Sequence, residues 1–158
     1  MTKSIYYYVY IVQSLSVFTG RGIPGKQSPL HDHLTWKRRN LRGRGARHAE
    51  FLSQNGVGAL VIDTSSSRGL SKKDKYIARL MEANFPDQLA DAFGALNALQ
   101  SHALVDGNKI GIMGYSLGGA SVILAAYKNI AAACSRNSVR FALHIAFYAP
   151  CSVLAFLL

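Results

Sequence analysis

Gly114, Tyr115, Ser116, Leu117 and Gly118 form a G-x-S-x-G pentapeptide, and Gly119 follows it. These residue types and this spacing suit a serine that attacks an acyl carbon. Such a serine takes a strained conformation in a sharp strand-to-helix turn, which lifts its hydroxyl clear of a sheet. Side chains beside it would collide with the strand and the helix, so glycine is needed two positions before and two after. The helix that follows begins with N–H groups that have no intrahelical partner and can stabilise an oxyanion. The N–H of Leu117 is the expected donor.

This turn requires a strand before it and a helix after it. "KIGIM" reads as a short buried strand, and "GGASVILAAYKNIAAA" as one apolar, Ala-rich helix. The elements upstream follow the same alternation. "SIYYYVYIVQSLSVF", residues 4–18, is rich in Tyr, Val and Ile and fits a buried strand. A short helix is expected to begin near Ala46, with Phe51 and Leu52 facing inward and Gly56 at its stop. "VGALVID" is a continuous apolar run ending in an acid, the pattern of a parallel strand buried on both faces. "YIARLMEAN" reads as a short helix. "FPDQLADAFGALNALQSHALV" is the clearest helix, with Pro86 in its first turn and Asp87 at its positive end. Leu89, Ala92, Phe93, Leu96 and Leu99 line one face of it. "RFALHIAFY" is a further strand. The whole predicts an α/β fold with a mostly parallel sheet and helices on both faces.

The stretch from about Ala49 to Cys151 resembles the α/β-hydrolase superfamily, and within it the dienelactone hydrolase-related group. The resemblance lies in "EFLSQNGVGALVIDTSSSRG", in "ALNALQSHALVDGNKIGIMGYSLGGA" and in "AFYAPC". It implies an eight-stranded, mostly parallel sheet and hydrolysis of ester, lactone or related acyl bonds in a small-molecule substrate. It implies no cofactor and no metal. Dienelactone hydrolases themselves carry a cysteine nucleophile. Ser116 places this chain with their serine relatives, so dienelactone is not implied as the substrate. Enzymes of this fold often carry His-Gly in a loop after an early strand, which gives a second oxyanion donor. The corresponding place is "VFTGRGIPG", where Thr19 replaces the His and Gly20 is the candidate donor.

In this superfamily the acid and then the base follow the serine along the chain. No Asp or Glu follows Ser116, and the only later histidine is His144. His144 lies inside a strand and is read as a packed core residue. The expectation is therefore a partial α/β-hydrolase fold, truncated before its last strands and its acid and base, with little or no turnover. Three other acids receive structural readings. Asp63 is read as a loop or cap residue, Asp91 as an exposed helix residue and Asp106 as a turn former.

Gly20, Gly22 and Gly25 also match G-x-G-x-x-G. Pro24 and Pro29 stand where a helix should open, so dinucleotide binding is set aside. His31 and His33 have no partner cluster for a metal. The 158 residues are 49% hydrophobic, enough for a core, and carry a net charge of +10. Residues 1–50 hold nine of the eighteen Lys and Arg, with Asp32 and Glu50 as the only acids. The peak is "WKRRNLRGRGARH", residues 36–48, read as a solvated loop. The alternative is a non-catalytic basic protein that binds nucleic acid or anionic membrane through that run. Neither is the expected partner. Cys134 and Cys151 are each read as small buried apolar residues. The sequence leaves compartment and oligomeric state open. Its divisions are an N-terminal strand and basic loop over 1–48, a hydrolase core over 49–151, and an apolar tail over 152–158.

Overall fold

The continuous apolar runs form strands, and the 3.6-periodic runs form helices packed against them. The structure, a computed structural model, describes residues 7–11, 15–18, 44–55, 57–62, 64, 68–70, 84–102 and 105–150. Its elements, in chain order, are β1 (Tyr7–Ile11), β2 (Leu15–Phe18), α1 (Arg44–Gln54), β3 (Gly58–Ile62), α2 (Phe85–Gln100), β4 (Ile110–Tyr115), α3 (Leu117–Ala126), α4 (Lys128–Cys134) and β5 (Leu143–Phe147).

The strands make one sheet in the order β2-β3-β1-β4-β5. β1 runs parallel to β3, with Tyr7 opposite Gly58, and parallel to β4, with Tyr7 opposite Ile110. β4 and β5 are parallel from Gly111 opposite Leu143 to Tyr115 opposite Phe147. β2 is antiparallel to both β1 and β3. The tyrosine-rich segment expected as one strand is thus two. Three residues separate them, which allows an antiparallel return but no parallel crossover.

Successive residues of β4 face opposite sides of the sheet, and both sides are covered. Ile110 and Ile112 pack with Phe93 and Leu96 of α2 and Val122 of α3. Met113 and Tyr115 pack with Ala49 and Leu52 of α1 and Ile145 of β5. All six residues of β4 are buried, which accounts for the near absence of polar atoms along it.

α2 begins with a capping box. The Asn84 side chain accepts from the Asp87 N–H, and the Asp87 carboxylate accepts from the Asn84 N–H, both at 3.2 Å. Its stripe Leu89, Ala92, Phe93, Leu96 and Leu99 is buried. The helix ends at Gln100, short of Val105. Asp91 is not a free surface residue. Arg68 Nη1 donates to Asp91 Oδ2 at 2.9 Å, and Arg68 Nη2 reaches Asp91 Oδ1 and Asp87 Oδ1, each at 3.3 Å. The same guanidinium donates to the Thr64 carbonyl at 2.9 Å. The stretch after β3 is therefore tied to the first turns of α2.

Four expectations are corrected. The Ala-rich helix is two helices, bent by 95°, with Tyr127 extended at φ −71° and ψ 129° between them. The break turns Ala131 into the core, and the Ala126 carbonyl it frees accepts from Arg140 Nη2 at 2.8 Å. α1 starts at Arg44, so the last part of the basic run is helical. Phe51 is exposed while Leu52 packs inward, because the inward face of α1 follows Ala49 and Leu52. Cys134 is exposed at the last position of α4. Residues 76–83 of "YIARLMEAN", Gly56, Asp63 and residues 151–158 lie outside the described residues, and the last residue of that segment, Asn84, is the N-cap of α2. Among those described, no single helix is long and apolar enough to cross a membrane.

Among the described residues, a buried polar contact joins α2 to α3. Ser121 Oγ, fully buried, donates to Gln88 Oε1 at 2.9 Å. Ser121→Ala leaves that oxygen without this donor, and the expected cost is about 1–3 kcal/mol. The double change Ser121→Ala, Gln88→Met removes both partners and is expected to cost less than the single one. Urea unfolding of the three proteins checks this.

Candidate active site

Ser116 stands where β4 ends and α3 begins, at φ 53° and ψ −120°. L-residues rarely adopt this conformation, and holding it costs about 1–3 kcal/mol. Two backbone hydrogen bonds fix it. The Ser116 N–H donates to the Phe147 carbonyl at the end of β5, and the Ser116 carbonyl accepts from Ala120 in α3, both at 3.0 Å. The Ser116 side chain makes no capping bond to the helix, and the residue is exposed. Its hydroxyl is presented to solvent at the carboxyl end of the central strands.

The glycines answer to this geometry. Gly114 and Gly118 are buried on either side of the serine. At Gly119 a Cβ would lie 2.9 Å from the Phe147 carbonyl oxygen and 3.2 Å from the Ala149 Cβ. The third glycine is required because the end of β5 crosses directly over the first turn of α3. Leu117 opens that turn, and its N–H belongs to the group with no intrahelical partner.

Tyr115, just before the serine, is fixed by an aromatic cluster. Its ring stacks on Phe147 with centroids 4.7 Å apart and planes at 12°. Tyr148 lies tilted against it at 5.6 Å and His48 at 5.2 Å. The Tyr115 hydroxyl and His48 Nε2 are 2.9 Å apart in a hydrogen bond whose donor depends on the imidazole tautomer. Tyr148 has a positive φ of 36°, so two strained residues meet here. The sequence reading did not single out His48 or Tyr148. Register would have revealed Phe147 opposite Tyr115, but nothing local ties His48 to either.

Other candidates stand elsewhere. His144 packs edge-on against Phe141, 5.9 Å between ring centroids, and its buried Nε2 has no hydrogen-bond partner. Burial holds its pKa below the ordinary 6.5, a backbone hydrogen bond to Ala125 opposes this, and the Arg140 charge adds to the lowering. Ala125 lies nine residues beyond Ser116, about 13 Å along the helix axis, so His144 and the serine are not brought together. Asp106 accepts from the Asn108 N–H and pairs with Lys109, each at 3.1 Å. The Lys109 hydrogen bond is the first cause that lowers its pKa. Among the described residues, no histidine or carboxylate is bonded to the Ser116 hydroxyl. Gly20, Gly22, Gly25, His31, His33, Asp63, Cys151 and residues 36–43 lie outside the described residues.

The model of one family, described as the prolyl oligopeptidase family, matches residues 45–137. That is more than half of the 158 residues and includes the whole strand–serine–helix turn. It is an α/β-hydrolase family, which agrees with the superfamily expected from the motifs. At family level the match falls there and not on the dienelactone hydrolase-related group. No curated protein and no solved structure matches the chain.

Two outcomes follow from this geometry. Glycine takes positive φ without steric cost, so Ser116→Gly should be more stable than Ser116→Ala by about 1 kcal/mol or more, read from urea midpoints. His144 has a folded pKa below its unfolded 6.5, so its contribution is intact above pH 6.5 and is lost as pH falls below it. Urea midpoints should drop between pH 7.5 and 5, and His144→Phe should flatten that drop.

Proposed function

The chain belongs to the prolyl oligopeptidase family, a serine hydrolase lineage, and from that premise we propose that Ser116 is its nucleophile toward the acyl carbon of a peptide or ester bond. The observation that carries this reading is the exposed Ser116 at φ 53° on the junction of β4 and α3. A plain glycine-rich turn has no need to hold a serine in a strained conformation.

In the proposed step, Ser116 Oγ bonds to the carbonyl carbon and the π electrons move to the carbonyl oxygen. That oxyanion forms beside the N-terminus of α3, where the Leu117 N–H and the helix dipole stabilise it. The hydroxyl proton leaves to a base, and collapse of the adduct expels the amine or alcohol, which takes a proton. Gly20 is the proposed second oxyanion donor. The finer relation to the dienelactone hydrolase-related group rests on the motif "VDGNKIGIMGYSLGGA". The matched family points instead to peptides as the substrate class.

Within these 158 residues the reading assigns the nucleophile and its oxyanion donor and assigns no base. No Asp or Glu follows Ser116, and its hydroxyl has no bonded imidazole among the described residues. Where no side chain serves as base, water or hydroxide takes the proton. A folded site without a triad base keeps roughly 10³ to 10⁴ over water from oxyanion stabilisation and binding.

Reaction of the purified chain with a fluorophosphonate, mapped by mass spectrometry, tests the proposal. Slow labelling of Ser116 is expected, lost in Ser116→Ala and rising with pH through 9 with no plateau near neutrality. Labelling at another residue, or unchanged labelling of the alanine variant, would refute the nucleophile. A plateau with its midpoint between about pH 6 and 7.5 would show a histidine base in place of water or hydroxide.

A further inference from the structure

His48 closes the basic run of residues 36–48, and neither the family match nor the acyl chemistry gives it a task. Its position on α1 is nonetheless specific. Nε2 lies 2.9 Å from the Tyr115 hydroxyl, and its ring lies 5.2 Å from the Tyr115 ring. Tyr115 is covalently joined to Ser116, and its opposite ring contact, Phe147, supplies the carbonyl that accepts the Ser116 N–H. The three side chains and that one hydrogen bond therefore form a closed connection from α1 through β4 to β5 and back to the serine.

We infer that His48 is a positioning residue for Ser116, acting through the Tyr115 hydroxyl to hold the strained turn in its reactive conformation. The inference rests on Ser116 as the nucleophile. At φ 53° the Ser116 backbone relaxes unless its neighbours over-determine it. The helix fixes the C-terminal side of the turn through Ala120. On the N-terminal side the orientation of the Tyr115–Ser116 peptide sets where Oγ points. That peptide is held by the Tyr115 ring, which Phe147 grips on its face and His48 grips at its hydroxyl. Phe147 and Tyr148 pack against the ring, and the hydrogen bond at its tip fixes the position of the hydroxyl. The docking of α1 does not depend on this contact, because Ala49 and Leu52 anchor the helix in the same cluster. His48 can therefore be changed while the helix stays in place.

The test uses the full chain with His48→Phe, Tyr115→Phe, the double variant and His48→Gln. His48→Phe keeps a ring and loses the hydrogen bond. His48→Gln places an amide nitrogen near the position of Nε2. Labelling of Ser116 by a fluorophosphonate is resolved into KI and the rate constant of bond formation. Both single variants are expected to lower that rate constant roughly tenfold and leave KI unchanged. The double variant should lose no more than either single one, and His48→Gln should recover most of the rate. Wild-type rates in both single variants, with Ser116 still labelled, overturn the positioning role and leave the nucleophile intact. Native-state hydrogen exchange supplies a readout that needs no chemistry at Ser116. The Ser116 N–H should exchange roughly tenfold faster in His48→Phe, while the core amide of Leu96 in α2 does not change. An unchanged Ser116 amide overturns the inference even in a chain whose Ser116 takes no label.

Discussion

The hydrogen bond from the Ser116 N–H to the Phe147 carbonyl is the constraint on which the rest depends. It joins a strained residue at the end of one strand to the end of its parallel neighbour. That bond forms only if β4 and β5 share the register that sets Tyr115 opposite Phe147. A slip of one residue would turn every β5 side chain to the other face and would withdraw the carbonyl from the serine. It would also move the chain that crosses Gly119, where no Cβ can be accommodated. The reactive geometry is thus a property of the sheet register as much as of the pentapeptide.

Register in turn is secured by the two cores. Residues of one parity along β4 meet α2 and α3, and those of the other parity meet α1. The helices on both faces keep the strands from sliding, since a slide would expose Ile110 and Ile112 to the wrong neighbours. The Arg68 fork onto Asp87 and Asp91 adds a tie at the carboxyl end of β3. Both partners keep part of their surface in solvent, so this tie contributes less than the apolar contacts do.

Much of this was legible in the residues themselves. The turn at Ser116, the strand before it, the stripe of α2 and the turn at Asp106 follow from local chemistry, because glycine spacing, period and capping act within a few residues. What escaped depends on contacts distant in sequence. Asp91 reads as a surface acid until Arg68 is brought to it from 23 positions away. The bend at Tyr127 has no Gly or Pro to announce it and is met by Arg140 from another segment. His48 lies 67 positions from Tyr115, and no periodicity links them. The split of the tyrosine-rich segment into β1 and β2 was hidden because both halves have the same strand-forming composition.

The contact between Gln88 and Ser121 has a geometric consequence. Ridges and grooves on two apolar helix faces allow a small set of axial alignments. One polar pair sealed inside such an interface allows a single axial alignment. Ser121 Oγ also reaches the Leu117 carbonyl in the first turn of the same helix, at 3.4 Å. α2 and α3 therefore meet as an indexed joint, and a glutamine on one helix is tied through Ser121 to the first turn of the other, directly after the serine.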